Sequence, residues 1–194
     1  MRYSPAGALA VAAVASLAAG CAMNEMARGG VGNMTSRMVQ GAIGGAVIGG
    51  AGGAVVGTRM DTQARDLAEG LPGATVQRVG EGIAVTFPER LLFAFHHDEL
   101  TPAARHRLRR FAASLNRYPD TRILIVDHTD SHGSAGRTMS LSGRRALSTA
   151  RFFAAEGVGR ARMCTAGSGD GEPRAPRVEI AIYAAATTAN PRDN

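Results

Sequence analysis

The sequence contains no lysine and no tryptophan, and aromatic residues make up only 5% of its 194 residues. All 22 basic residues are therefore arginine, and the formal net charge is +6. A basic chain is compatible with an acidic polymer or an anionic surface as its partner. No aromatic residues are interleaved with the arginines in the way that stacks nucleic-acid bases. We therefore expect no nucleic-acid partner, and the all-arginine usage is typical of a GC-rich genome.

Charge is missing from the N-terminal segment that follows Arg2. Residues 6–19 are almost wholly Ala, Val and Leu, a run whose length and flanks are typical of an export signal rather than a membrane span. The run closes with Ser16-Leu17-Ala18-Ala19-Gly20-Cys21, which resembles the lipobox of bacterial lipoproteins. The resemblance implies that residues 1–20 are removed and that Cys21 is the lipid attachment site. It also implies sorting to the outer membrane, because Ala22 is not aspartate. Ordinary cleavage nearby, with Cys21 removed or unmodified, is the alternative.

Cysteine is scarce, with only two residues in the chain. If Cys21 carries lipid, then Cys164 has no cysteine left with which to form an intramolecular disulfide. Cys164 lies in a short strand-like run, so we expect it to be a buried small apolar residue.

Residues 21–40 are small and polar, which predicts a flexible tether. Residues 41–60 contain glycines at a strict four-residue period, namely Gly41, Gly45, Gly49, Gly53 and Gly57. This spacing puts the glycines on one face of a helix, where another helix can pack closely. The segment resembles the glycine zipper of bacterial envelope proteins, and it predicts a helix that either self-associates into a homo-oligomer through Gly41–Gly57 or lies in the membrane interface. A membrane span is the alternative, but after a lipid on Cys21 it would carry the rest of the chain across the membrane.

The remaining chain predicts a linker helix over residues 61–74, one α/β domain over residues 75–184 and a disordered tail over residues 185–194. Thr101-Pro102 is a helix start, with a capping hydroxyl followed by proline at the first helical position. A second helix is expected from about Ser140 to Glu156. The other expected elements are strands over Thr75–Val79, Ile83–Phe87, Ile123–Val126, Cys164–Gly167 and Val178–Tyr183, and an extended run over Leu91–Phe95. The continuous apolar run at Ile123–Val126 predicts a central strand that is covered on both faces.

Three motifs in this region resemble the OmpA-like, peptidoglycan-associated domain. They are His128-Thr129-Asp130 after the central strand, Leu141-Ser142-Gly143-Arg144-Arg145-Ala146 on the second helix, and Arg177-Val178-Glu179-Ile180 in the last strand. The resemblance covers roughly residues 82–183. It implies an α/β sandwich with a βαβαββ-type sheet and helices packed on it, preceded by the glycine-zipper helix and the lipoprotein signal. It also implies a non-catalytic domain without a cofactor.

Asp130 and Arg145 are the candidate binding residues. Asp130 follows a strand and Arg145 lies 15 residues later in the next helix, so both can reach one crevice outside the sheet edge. A guanidinium pairs with a carboxylate and an aspartate accepts from an ammonium, so together they fit a zwitterion. The resemblance implies that this ligand is diaminopimelate in a peptidoglycan stem peptide. The alternative is that the two residues only pair with each other. Weaker candidates are Thr129, Thr138, Leu141 and Arg177.

Four positions depart from the family pattern around the site, namely Ala94, Asp127, Thr138 and Pro176. Asp127 is expected to add a negative charge beside the site, and Thr138 replaces an asparagine. We therefore expect an altered affinity or ligand range.

Two histidine clusters, His96-His97 and His128 with His132, are candidates for a metal site. His128 and His132 flank a Gly/Ser turn rather than a helix, so no fixed ligand geometry supports a metal. Ser140 and Ser142 lie near His132 and Asp130 in the sequence, but the nucleophile-elbow turn that a catalytic serine triad requires is absent from the sequence there. The sequence therefore predicts a non-enzymatic outer-membrane lipoprotein that tethers the membrane to the cell wall. The alternative is a zipper-driven envelope assembly protein whose domain has weakened or lost wall binding.

Overall fold

The structure is a computed structural model, and it describes residues 53–129, 135–168 and 175–184. The predicted signal and Cys21, the tether, most of the glycine zipper, Asp130 and the tail lie outside the described residues. The zipper hypothesis therefore stays a prediction. Within the described ranges, no helix is both long enough and apolar enough to span a membrane.

Three α-helices and five strands make up the described chain. In chain order they are α1 (Gly53–Gly70), β1 (Thr75–Val79), β2 (Gly82–Pro88), α2 (Pro102–Arg117), β3 (Thr121–His128), α3 (Ala135–Ala155), β4 (Met163–Ser168) and β5 (Arg177–Ala184). Short 3-10 turns occupy Glu89–Leu91 and Arg160–Arg162.

The strands form one mixed sheet in the order β1-β2-β5-β3-β4. β3 and β4 are parallel and are joined through α3, while the other neighbouring strands are antiparallel. β3 is an interior strand, and its central residues from Ile123 to Val126 are buried on both faces. The predicted α/β sandwich and the predicted central strand are confirmed.

All three helices contribute to one hydrophobic core on the same face of the sheet. Phe111 of α2 and Phe153 of α3 meet edge to face, with ring centroids 5.4 Å apart. α1 adds Met60, Ala64 and Leu67, so it is part of the domain core. The sequence predicted that this helix begins at residue 61. In the structure the helix is already formed at Gly53, inside the zipper segment, and it runs unbroken to Gly70.

A second, smaller cluster lies on the other face of the sheet, and none of the described helices contributes to it. Leu124, Val126 and Ala181 are its buried members. Cys164 is half-buried and packs against them, so it serves as an apolar side chain in this cluster.

The start of α2 agrees with its sequence signal. The amide of Ala104 donates to the Thr101 hydroxyl over 3.1 Å, and Pro102 occupies the first turn. Capping satisfies one of the four amides that a helix start leaves without a partner.

Two predicted boundaries are wrong. Leu91–Phe95 is not a strand, because the carbonyl of Glu89 accepts from the amides of both Leu92 and Phe93 and closes a tight turn. The segment makes a single isolated β-bridge, between Phe93 and Leu100. α3 begins at Ala135, about five residues earlier than expected, because its apolar stripe starts only near Leu141 and gave no earlier signal.

The sheet gives the domain two distinct ends. At one end, which we call the base, Thr121 of β3 pairs with Ala184 of β5, and Arg59 of α1 approaches Asp120 within 3.9 Å. At the opposite end, which we call the site end, β3 finishes at His128 and β4 at Ser168. An eight-residue strand extends for about 25 Å, which is the separation of the two ends.

α3 lies very close to β4 at the site end. A Cβ atom on Gly167 would overlap with the Ser142 hydroxyl and with the Gly143 backbone. Only glycine at 167 permits this approach, which brings the residues after Leu141 over the carboxyl ends of β3 and β4.

We predict that Gly167→Ala destabilises the domain by about 1–3 kcal/mol, because the added methyl group must push α3 away from β4. Gly143→Ala is the matched control on the other side of the contact. A Cβ there meets nothing within 4 Å, so the helix should gain up to about 1 kcal/mol. Urea unfolding of both variants measures the free energies, and equal stability of the two would contradict the packing described.

Candidate functional site

Arg145 is the largest fully buried side chain of the described residues, with only 1% of its surface exposed. Its Nη1 lies 2.7 Å from Oε1 of Glu89, in the turn that follows β2. Its Nε donates to the carbonyl of His97 over 2.7 Å, and its Nη2 donates to the carbonyl of Ala94 over 3.4 Å. The guanidinium also lies over the Phe93 ring, 5.2 Å from the centroid.

These contacts account for the burial of a charged group. A buried charge is tolerated only when it is paired and hydrogen-bonded. Glu89 supplies the opposite charge and the two carbonyls supply acceptors. A guanidinium has five N–H groups, and the three contacts described here use three of them.

Arg144 extends the same connection toward solvent. Its Nε donates to Oδ2 of Asp98 over 2.6 Å, and this hydrogen bond lowers the pKa of the Asp98 carboxyl. Two consecutive arginines of α3 therefore hold both the start and the end of the loop formed by residues 94–98.

Asp127 lies on β3 beneath this region, on the helix-covered face. Its side chain is fully buried, and neither carboxylate oxygen has a hydrogen-bond partner among the residues that the structure describes. Burial raises the pKa of the Asp127 carboxyl well above its usual value; the charge of Glu89 adds to the rise and that of Arg145 opposes it. Burial therefore favours the protonated form of the Asp127 carboxyl. Burial without a partner disfavours the ionised form, so it opposes the negative charge that the sequence predicted beside the site.

The opposite face of the sheet carries a separate charged cluster at the site end. Glu179 lies 2.6 Å from Arg177 and 3.3 Å from Nε2 of His128. Burial opposes ionisation of Glu179, but the hydrogen bonds and charges of His128 and Arg177 outweigh it and lower the pKa of Glu179 to about 2. Val178 and Ile180 belong to the main core, so alternation along β5 places Arg177 and Glu179 on the other face.

The structure separates the predicted site residues into groups. Arg145 lies at the site end, and Thr129 directly follows β3 there, with its amide donating to the carbonyl of Ser168 over 3.1 Å. Leu141 is half-buried on α3. Arg177 points to the opposite face from Arg145. Asp130 lies outside the described residues, and so does the Thr138 side chain.

Glu89 is the principal site residue that sequence reasoning missed. It belongs to no motif, and it reaches Arg145 only because the chain turns directly after β2. A single acidic residue between Pro88 and the apolar Leu91-Leu92-Phe93 run was the one available signal. The burial of Asp127 was also missed, although its position two residues after the buried Ile125 in β3 indicates the core face.

No group of three His, Cys, Asp or Glu side chains among the residues that the structure describes is arranged to hold a metal ion. His96 and His97 are exposed on the loop beside Arg145. The described part of the site is a buried, paired cation at the end of the sheet after which Asp130 follows in the sequence.

A mixed sheet with helices on one face and an arginine-bearing helix at the ends of β3 and β4 defines an OmpA-like domain. The solved structure of the cell wall anchor of the T6SS from Pseudomonas aeruginosa has a similar fold, with a TM-score of 0.54 and 25% identity. The match covers 64% of this chain and 96% of that chain.

The OmpA family model matches residues 92–182. The peptidoglycan-associated lipoprotein of Brucella melitensis is 31% identical over 114 residues, which are 59% of this chain and 67% of that protein. The chain belongs to the OmpA family. It is also 33% identical over 120 residues to the probable lipoprotein YiaD of Escherichia coli, with 61% of this chain covered but only 55% of YiaD.

We predict that Asp127→Asn changes how stability depends on pH. The pKa of Asp127 is raised in the folded state above 3.8, so the unfolded chain releases this proton first, and stability falls as pH rises from about 4 through the folded-state pKa. Asparagine cannot ionise, so the variant should lose this fall and be about 1–3 kcal/mol more stable at pH 8. Urea unfolding at pH 5 and pH 8 measures the difference.

Glu99→Gln, which removes an exposed carboxylate from the loop near the site, is the control and should leave the pH dependence of stability unchanged. Parallel pH profiles for wild type and Asp127→Asn would show that Asp127 is ionised in the folded protein.

Proposed function

We propose that this chain is an outer-membrane lipoprotein, anchored through acyl chains on Cys21, whose periplasmic domain binds peptidoglycan without covalent attachment. The domain takes the diaminopimelate residue of a stem peptide and so tethers the membrane to the cell wall. It acts as a binding module and not as an enzyme.

The observation that carries this proposal is the buried Arg145 at the site end. Its guanidinium is held in place by Glu89 and by two loop carbonyls, so its remaining donors are fixed before any ligand arrives. Preorganised donors of this kind favour a planar carboxylate, which arginine can bind through two bonds. Asp130 follows β3 by two residues, and a carboxylate there would accept from the ammonium group of the same zwitterion.

The position of the two ends supports a tether. The chain that leads from Cys21 reaches the domain through α1, and Arg59 of α1 lies at the base beside Tyr118 and Asp120. The binding residues lie at the opposite end of β3. A domain held at its base by lipid therefore presents Arg145 away from its anchor, as a membrane-to-wall link requires.

The relatives support the same reading by their names, because one is a peptidoglycan-associated lipoprotein and another is a cell wall anchor. The lipobox-like sequence before Cys21 agrees with the lipoprotein relatives.

A second candidate function is a zipper-driven assembly protein whose domain binds the wall weakly. The observation that favours it is the 2.7 Å contact between Glu89 and Arg145. A ligand carboxylate must share the guanidinium with Glu89, and two carboxylates around one cation repel each other. Deletion of Gly41–Gly57 distinguishes the candidates, since a wall tether keeps its wall binding and an assembly protein loses its oligomer and its phenotype.

We predict that Asp130→Asn and Arg145→Ala each weaken binding of the full-length chain to purified sacculi at least about tenfold, because each removes one of the two charges that hold the zwitterion. Co-sedimentation over a range of sacculus concentrations measures the affinity. Asp130→Asn is the cleaner variant, since Arg145→Ala also leaves Glu89 buried without its partner.

Arg144→Ala is the matched control, because it removes the neighbouring arginine and its contact with Asp98 but keeps Arg145. It should retain most of the wall binding. Thermal unfolding of each variant identifies a loss caused by misfolding. Unchanged co-sedimentation of folded Asp130→Asn would contradict the proposed site.

A further inference from the structure

An exposed aromatic pair lies on the loop beside Arg145. The Phe95 side chain is 83% exposed, whereas Leu147, the other exposed large apolar residue in the described ranges, is 40% exposed. The His96 ring meets Phe95 in an edge contact, with ring centroids 4.0 Å apart. An edge contact leaves a face of the Phe95 ring open to solvent, which agrees with its exposure.

The backbone that presents this pair is strained. His96 has a φ of 60°, and it is the only residue other than glycine with positive φ among the described residues. The left-handed region is unfavourable for residues with a side chain. Such conformations persist where the surrounding structure fixes them, and they cluster at ligand-binding sites.

α3 fixes the loop on both sides of the aromatic pair. The carbonyls of Ala94 and His97, which flank Phe95 and His96, both accept from Arg145. The amide of His97 donates to the carbonyl of Ala94 over 3.0 Å and closes the turn. The same guanidinium that is proposed to hold the stem peptide therefore sets the position of Phe95.

We propose that Phe95, supported by His96, is a carbohydrate subsite that packs against a pyranose ring of the glycan strand next to the bound stem peptide. This inference rests on the proposed function. It extends the site from the peptide to the sugar to which the peptide is attached.

The chemistry of the two partners is complementary. One face of a pyranose ring presents C–H groups, and an aromatic face buries them with weak C–H contacts and removal of apolar surface from water. A neutral sugar ring needs no charged partner, and Phe95 offers it an uncharged aromatic surface. Phe95 has two side-chain torsions, so ordering it costs little entropy.

The location favours sugar over lipid as the occupant. Arg59 and the start of β3 lie at the base, where the chain from the anchor reaches the domain, while the loop contacts Arg145 at the other end of the sheet. With its base toward the membrane, the domain holds Phe95 on the side that faces the wall. A lipid-inserting aromatic residue would be expected near the base.

The test compares two ligands for the full-length chain in detergent. One is a diaminopimelate-containing tetrapeptide, and the other is the same tetrapeptide attached to its N-acetylglucosamine–N-acetylmuramic acid disaccharide. Wild type should bind the disaccharide form about five- to tenfold more tightly, the gain expected from burying about half of a phenylalanine. Phe95→Ala should remove this gain and change the affinity for the free tetrapeptide less than about twofold.

Leu147→Ala is the control for loss of an exposed apolar side chain, and it should keep the full gain. Equal affinity of wild type for the two ligands overturns the subsite alone, and so does a gain that survives in Phe95→Ala. A loss in Phe95→Ala that is equal for both ligands also overturns it, because Phe95 would then act on the peptide. Wild type that binds neither ligand contradicts the proposed function as well. Phe95-dependent binding to phosphatidylethanolamine–phosphatidylglycerol vesicles with no sugar gain would identify lipid as the occupant instead.

Discussion

The burial of the Arg145 guanidinium is the interaction on which the site end depends. One cation joins α3, the turn after β2 and the loop of residues 94–98, through Glu89 and two backbone carbonyls. A buried charge without partners is costly. The need to pair the Arg145 guanidinium therefore holds these three elements together. Gly167 allows α3 to lie close enough to β4 for Arg145 to reach these partners. The proposed binding group is therefore also a structural group, and the two roles would share the same atoms.

The pairing of Arg145 with Glu89 restricts which ligands can bind. The charge of Arg145 is already balanced by Glu89, and burial raises the pKa of the Asp127 carboxyl below it, which favours its neutral form. A ligand carboxylate would enter beside Glu89, whereas the ammonium of the ligand would be held by Asp130. The family resemblance alone suggests one pair of opposite charges, Asp130 and Arg145. The structure adds the carboxylate of Glu89, which already contacts Arg145. A zwitterion or a larger muropeptide, which brings contacts of its own, suits such a site better than a simple anion does.

Local signals in the sequence predicted most of the fold. Thr101-Pro102 specified the start of α2, and the apolar run at Ile123–Val126 specified an interior strand, because capping and burial are encoded by neighbouring residues. Leu91–Phe95 was misassigned because an apolar run is equally compatible with a strand and with a tight turn. Arg145 was found through its motif, but Glu89 was not, since 56 positions of chain separate them and only the fold brings them together. The raised pKa of the Asp127 carboxyl likewise comes from burial, which residue type alone does not reveal.

The central claim is that this OmpA-family domain holds diaminopimelate through Arg145 and Asp130. Calorimetric titration of the full-length chain in detergent with a diaminopimelate-containing muropeptide tests it most directly, with the lysine-containing counterpart as the comparison ligand. Lysine lacks the second carboxylate, so it cannot offer a zwitterion at the end of its side chain. The account predicts saturable binding of the first ligand and binding of the second that is at least about tenfold weaker. Equal affinity for both, or no binding of either, would contradict it.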